Sequence, residues 1–459
     1  MLLIVPKYKL WLNFHPLGAL YIAAVLKRKG ENVSLLDGVI CGTNYLRRIS
    51  EELPTHSAAA ISANIAQAYS GCKTAAFIRK HFPDKTIIWG GPYPSVEYRR
   101  LIPELADIVI IGEGEKQMES LAENRPLHEI RGIAYWDKNE KELKVNEPET
   151  LIEDLDSLPY PAWEFTAGNN YHAPGLSPYF TIVTERGCPF HCINCTKVIH
   201  GDKYRTRSIS HVIGELEMLT EKFGAKEFHI WDDNFTLHPD RVKKLCNAII
   251  EKGINRKARF ILPNGIRADI CDEEMFDLMR KANFQILIIA VESADQTVID
   301  KLQKKLDLAK VRNTVETAVE KGFRVGLFFM MGLPFDTVES LKKTANFAAS
   351  LPAHHAFFWR VVPFPGTKLY DMTKKDRQHN IADYTKGYVD YESPKFCYKH
   401  PDIPSWKIAF HIRRAYLKFY GNPVRVFRLL RKLHQEGVLK HDMLILFRCA
   451  LGLLFRARR

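Results

Sequence analysis

The chain is predicted to be an α/β protein. An N-terminal doubly wound parallel sheet of Rossmann-like form comes first, then a partial or full (β/α) barrel, then a helical basic end. Three observations carry this reading. Short apolar strands alternate with helical patterns over the first 125 residues, each strand ending in a polar or glycine-rich turn. The alternation resumes near Tyr179 and runs for almost 190 residues. Beyond Trp406, apolar and basic residues share helical patterns. A chain of 459 residues, 46% of them hydrophobic, can build two or three cores. The divisions read as 1–125, a hairpin and linker over 126–175, a barrel over 176–375, and a basic helical region over 376–459.

In the first division Leu2 to Val5 reads as a strand, and Leu17 to Gly30 as a helix closing on Lys27, Arg28 and Lys29. Val33 to Leu36 ends at Asp37-Gly38, and Ala58 to Ser62 runs on to Asn64. Thr86 to Trp89 enters Gly90-Gly91-Pro92 ahead of Ser95, and Ile108 to Ile111 enters Gly112-Glu113-Gly114. Ligands of doubly wound sheets bind beyond the carboxyl ends of the strands, so these turns mark one edge as a binding edge. A dinucleotide is disfavoured there. The first turn lacks GxGxxG, and Pro6-Lys7-Tyr8-Lys9 is no pyrophosphate cradle.

The next stretch changes character. Ile130 to Tyr135 and Glu142 to Val145 bracket a turn, as in a small hairpin, and EDLDSLPYPAWEF follows. Leu155, Leu158, Tyr160 and Trp163 give this linker apolar anchors, so it is expected to pack across both domains.

The third division opens on YFTIVTERG, a strand delivering Cys188, Cys192 and Cys195 on one loop. Thiolates at this spacing can bind three irons of a cubane and leave the fourth open to chemistry. Zinc fits less well, because a closed site needs a fourth ligand and His191 lies inside the loop. Buried structural cysteines rarely gather on a turn containing glycine and proline. Later strands end at Asp232-Asp233-Asn234, at Asn264-Gly265 and Arg267, at Glu292-Ser293 and at Gly332-Leu333-Pro334. Polar clusters after successive strands are what a barrel's active face requires. His354, His355 and Trp359 are candidate pocket residues, although adjacent histidines cannot share one strand face.

On CxxxCxxC the chain resembles the radical SAM superfamily. PLGALYIAAVLKRKG, WGGPYPS and IIGEGE over residues 1 to 125 resemble the cobalamin-binding domain that precedes many radical SAM domains. The resemblance implies a [4Fe-4S] cluster on Cys188, Cys192 and Cys195, S-adenosylmethionine (SAM) on its open iron, and cobalamin on the first domain. It implies reductive SAM cleavage to a 5′-deoxyadenosyl radical. It places Asp232 and Asp233 at the methionyl amino group, Glu292 and Ser293 at the ribose, and Arg267 at a carboxylate. Ser62, Asn64, Gly90, Gly91, Ser95, Gly112 and Glu113 would border the corrin. Related methyltransferase domains carry DxHxxG where this chain has Asn13, Phe14, His15, Pro16, Leu17 and Gly18, so His15 is the position of a cobalt ligand, with Asn13 a poorer orienting partner than Asp. The implied function is a cobalamin-dependent methyltransferase acting on an unactivated carbon of a small-molecule or lipid-like substrate. The cyclases of anaerobic porphyrin biosynthesis and ring-rearranging enzymes share the resemblance, and a non-catalytic sensor is a third reading. A flavodoxin or ferredoxin would supply electrons.

The net charge of +13 suggests nucleic acid until its location is counted. From Ser405 to Arg459 thirteen Lys or Arg stand against Glu436 and Asp442, so the catalytic part is nearly neutral and nucleic acid is not indicated. In the tail, Val424, Phe427, Leu430 and Leu433 alternate with Arg425, Arg428, Arg431 and Lys432, followed by LILFRCALGLLF. That run is shorter than the roughly 18 to 20 residues a span needs. A cytoplasmic location is expected; the tail is either a helical cap whose cations are solvated or face an acidic electron donor, or a peripheral contact to the inner face of a membrane. Nine cysteines, three of them in one loop, suit a reducing compartment better than a disulfide framework.

Overall fold

The computed structural model describes residues 1–8, 13–166, 168, 171, 175–375 and 398–439. LILFRCALGLLF lies outside them. Leu2–Val5 (β1), Ser34–Asp37 (β2), Ala58–Ser62 (β3), Thr86–Gly90 (β4) and Ile108–Ile110 (β5) form a parallel sheet, extended antiparallel by the hairpin Ile133–Asp137 (β6) and Glu142–Val145 (β7). The spatial order is β2-β1-β3-β4-β5-β6-β7. Chain direction across the sheet reverses between β1 and β3, which opens a crevice beyond their carboxyl ends. Gln67 closes one wall of it by donating from Nε2 to the Pro6 carbonyl at 2.9 Å. β1 and β3 are buried almost throughout, as strands covered on both faces must be.

The second sheet is parallel and strictly consecutive: Tyr179–Ile182 (β8), Glu227–Ile230 (β11), Arg259–Ile266 (β12), Phe284–Glu292 (β13), Arg324–Met331 (β14) and His355–Arg360 (β15). Two short strands, Glu185–Arg186 (β9) and Arg205–Thr206 (β10), pair antiparallel at the foot of the cysteine loop. β8 and β15 are not paired with each other, so the barrel is partial. Phe228, Phe260 and Phe284 stack across neighbouring strands on the helix-covered side, with centroids 5.0 and 5.3 Å apart. Along β13 to β15 the alternate side chains, among them Ala290, Phe328, Met330 and Phe357, are only half-buried and line the hollow side.

Both free edges are covered, as sheet edges generally must be. The loop after β1 lies against β8, where the Tyr179 hydroxyl donates to the Asn13 carbonyl. The helix Ser405–Tyr420 packs on β15, with the Tyr416 hydroxyl accepting from Phe358 N–H at 3.1 Å and that of Tyr420 from Ala356 N–H at 3.2 Å. The linker packs as its anchors suggest. Leu155, Leu158 and Trp163 are buried, and Trp163 Nε1 donates to Glu215 at 2.9 Å.

The last described helix, Pro423–Gln435, differs from the sequence pattern. Arg425, Leu429 and Leu433 are buried while Val424 and Phe427 point outward. Arg425 can be buried because its guanidinium lies 3.7 Å from the Phe419 ring centroid and donates to the carbonyls of Ala349 and Ala353.

Candidate active site at the meeting of the two sheets

The cysteine loop is irregular but pinned along its length. At its start Thr184 donates its N–H (2.6 Å) and hydroxyl (2.5 Å) to the Asp232 carboxylate. Gly187 follows at φ +87°, where a Cβ would collide with the Lys203 carbonyl. Its N–H donates to Asp233 Oδ2 at 2.8 Å. Lys197 reaches back to the Cys188 carbonyl at 2.6 Å. Ile193 is buried with Leu302, Leu333 and Leu369, and its N–H donates to the Leu302 carbonyl at 3.1 Å. The Arg267 guanidinium lies over Phe190, 3.8 Å from the ring centroid.

On this frame Cys188 and Cys192 are half-buried, Cys195 is exposed, and all three are free thiols. Among the described residues no three His, Cys, Asp or Glu form a shell for a single ion. A cubane asks for something looser, since each thiolate binds its own iron. Asn234 stands beside the loop with Nδ2 4.0 Å from Cys188 Sγ, and its buried Oδ1 has no protein partner. The buried Oδ1 of Asn194, inside the loop, is also unpaired. Buried acceptors without donors on a cysteine loop suit a bound polar ligand such as SAM.

The other SAM candidates divide by what they already bond. Asp232 is buried and spent on holding Thr184, so its carboxylate does not face an ammonium; desolvation raises its pKa to about 6. Burial works to raise Asp233 too, but His200, Gly187 N–H and the charge of Arg186 hold it below the usual carboxylate range, and it keeps an exposed side. Glu292 sits at φ +72° after an irregularity in the β13–β14 register and accepts from Lys304 Nζ at 3.0 Å. A non-glycine residue in that conformation is strained, a feature that gathers at ligand sites. Ser293 is buried, accepting from Asp295 N–H at 3.2 Å. Arg267 departs from the sequence reading. It donates to both Asp269 oxygens and to the carbonyls of Lys304 and Lys305, so it braces the loop through Phe190.

The carboxyl edge of the first sheet faces this loop. A Cβ added at Gly112 would meet nothing nearer than the Val198 carbonyl at 3.7 Å, and one at Gly90 nothing nearer than Ile110 at 4.0 Å. Gly91, at φ +100°, is closed instead, since a Cβ would stand 2.8 Å from the Ala63 carbonyl. Ser95 ties the edge together, donating to the Gly91 carbonyl at 2.8 Å and accepting from Gly112 N–H at 3.2 Å. Asn64 caps its turn at the crevice mouth, and Ser62 closes β3 half-buried. The strand ends at Gly90 and Gly112 are thus in ordinary contact without a clash, and small residues line the edge on which a corrin would lie. His15 is buried among Trp163, Tyr171, Tyr179 and Phe180, with ring centroids 4.4 to 5.5 Å away. Its Nδ1 has no protein partner, so Asn13 does not orient the ring, and desolvation pushes its pKa down to about 3.

Glu113 is a clamp. Its carboxylate accepts from Arg186 at 3.0 Å, from Arg205 at 2.9 and 3.0 Å, and from Ile152 N–H at 3.0 Å. Glu115 takes the other side of Arg186 at 2.6 Å. These side chains are at most 7% exposed, so they form a desolvated ion cluster between the first sheet and the foot of the cysteine loop. Sequence reading missed Arg186 and Arg205 because their partner lies 73 and 92 residues away. The one signal was a pair of arginines flanking the cysteine loop.

Residues 9–122 match the B12 binding domain family and residues 182–348 the radical SAM superfamily. The chain belongs to the radical SAM superfamily, within the branch that carries a cobalamin-binding domain ahead of the radical SAM domain. Its cofactors are a [4Fe-4S] cluster, SAM and cobalamin. An uncharacterized methyltransferase of Pyrococcus horikoshii is 26% identical over 96% of this chain and 93% of its own length. The hopanoid C-3 methylase of Methylococcus capsulatus is 24% identical over 95% and 80%. An anaerobic magnesium-protoporphyrin IX monomethyl ester cyclase of Synechocystis is 22% identical over 90% and 83%. Among solved structures, the radical SAM methyltransferase TsrM of Kitasatospora setae, with cobalamin and [4Fe-4S] cluster bound, shares the fold at a TM-score of 0.72 and 17% identity, over 92% of this chain and 89% of that one.

Proposed function

We propose that this protein methylates an unactivated carbon of a small-molecule or lipid-like substrate. One observation carries the reading: Gly112 on the first sheet and Val198 on the cysteine loop face each other, with the Glu113 clamp fixing the distance. When bound, the cluster and SAM would supply a carbon-centred radical and cobalamin a methyl group. The protein supplies position and exclusion of water. Cys188, Cys192 and Cys195 would hold the cluster. Asp233 keeps a carboxylate for an ammonium, with Asn234 and Asn194 offering acceptors beside it. Glu292 suits a ribose hydroxyl, and the strand-end backbone at Gly90 and Gly112 a corrin. Ala290, Phe328, Met330 and Phe357 give the hollow side an apolar lining for a substrate carbon with no polar handle.

The test is anaerobic turnover with a low-potential reductant such as dithionite and SAM deuterated on its methyl group, in candidate substrate extracts. Methyl transfer gives 5′-deoxyadenosine and S-adenosylhomocysteine together, with label in a product. The cyclase likeness favours a second reading, cyclisation or rearrangement, which gives 5′-deoxyadenosine without S-adenosylhomocysteine.

A further inference from the structure

Among the described residues an apolar face on the last two helices is left uncovered. Ser405–Tyr420 packs inward through Ile408, His411, Ala415 and Phe419. The opposite stripe runs Trp406, Phe410, Arg413, Leu417, a spacing that puts all four on one helical face. The next helix turns Val424 and Phe427 outward because Arg425, Leu429 and Leu433 fill its buried side. The five outward apolar side chains, Trp406, Phe410, Leu417, Val424 and Phe427, are 52% to 71% exposed. Isolated exposed apolar residues need no explanation, but a row of this kind on adjoining helices marks an interaction surface.

Charge identifies the occupant. Arg413, Arg414, Lys418, Arg428 and Arg431 are exposed around the row. The single acidic residue between 405 and 439, Glu436, is buried, 3.3 Å from Arg324 and 3.6 Å from Lys432. The face is therefore apolar and cationic with no carboxylate of its own. A second copy would bring like charge against it. Residues 440–459 would do the same, with Arg448, Arg456, Arg458 and Arg459. An anionic phospholipid surface matches both properties, taking the rings into the interface and the cations at its headgroups.

The face also lies where a membrane would serve the site. Arg360, at the end of β15, donates to the Ser405 carbonyl at 2.5 Å, so Trp406 stands at the strand-end side of the sheet. Trp359, 39% exposed, precedes Arg360 on the hollow side. We infer that the outward face of residues 405–435 docks on an anionic bilayer and brings the open end of the barrel to it.

Co-sedimentation of the reconstituted full chain with vesicles tests this without turnover, so it stands or falls apart from methyl transfer. Vesicles of phosphatidylglycerol and phosphatidylcholine are expected to bind the protein, phosphatidylcholine alone to bind little, and binding to fall as sodium chloride rises. The combined Trp406→Glu, Phe410→Glu, Phe427→Glu variant is expected to lower partition about tenfold or more, with circular dichroism and iron content unchanged. Arg413→Gln with Arg414→Gln and Arg428→Gln is expected to weaken binding to the anionic vesicles only. Absence of binding to anionic vesicles would overturn the inference. So would full binding by the glutamate variant, which would move the contact to another segment such as 440–459. Self-association without vesicles that the glutamate variant abolishes would show a second copy on the face and would also overturn it.

Discussion

Replacing Glu113 by Ala tests how the two sheets are held face to face. The change removes an acceptor of four hydrogen bonds, three of them from guanidinium groups, inside a cluster no more than 7% exposed. Arg186 keeps Glu115, whereas Arg205 keeps only backbone carbonyls, those of Ile152, His200 and Lys203, and becomes a buried charge without a counter-ion. Breaking such a pair costs about 3–5 kcal/mol, and the surviving Glu115 contact places Glu113→Ala near about 3 kcal/mol. The pH dependence has a definite sign. Burial works to raise the Glu113 pKa, but Arg205, Arg186 and Ile152 N–H outweigh it and hold the carboxyl below 4.5. A depressed acid contributes its full stability above the unfolded value and loses it as pH falls through the folded one. The gap between wild type and Glu113→Ala in urea unfolding, followed by tryptophan fluorescence, should be full at pH 7 and close below 4.5. A loss under about 1 kcal/mol at pH 7, as expected of a surface ion pair, would refute the clamp.

Three further outcomes are expected. Cys188→Ala with Cys192→Ala and Cys195→Ala should lose iron and SAM cleavage while retaining corrinoid, measured by metal analysis and chromatography of SAM products; retained cleavage would defeat the cluster assignment. Gly187→Ala forces a side chain into a φ of +87° against the Lys203 carbonyl, and should cost about 1–3 kcal/mol and lower the iron bound per chain. Arg267→Lys loses the two-pronged pairing with Asp269 and the stacking on Phe190, so iron should leave to a chelator several-fold faster. An unchanged loss rate would mean that the loop does not depend on this brace.

Local patterns read true where a single segment decides the outcome. The strands of both sheets, the turns that end them and the cysteine spacing are each properties of a few adjacent residues. What could not be read was set by contacts far apart in the chain. Glu113 looked like part of a glycine-rich turn, and only the fold reveals that Arg186 and Arg205 claim it. Asp232 and Asp233 are adjacent and chemically alike, yet one is buried against Thr184 and the other keeps an open side. Arg267 followed a strand as a ligand-binding arginine would, but the carbonyls of Lys304 and Lys305 and the Phe190 ring use its donors and its face first. In the helix Pro423–Gln435 the hydrophobic period gave no sign that an arginine would be buried and two apolar residues exposed. The ring of Phe419, three residues before Asn422, decides that exchange.

The most direct test of the account is anaerobic reconstitution of the full chain, followed by iron, sulfide and cobalt analysis and the visible spectrum. About four irons with one corrinoid per chain is the expected result, and the Cys188, Cys192, Cys195 variant should keep the corrinoid alone. Iron without corrinoid would contradict the account, since the edge at Gly90 and Gly112 would then hold no methyl donor opposite the cysteine loop.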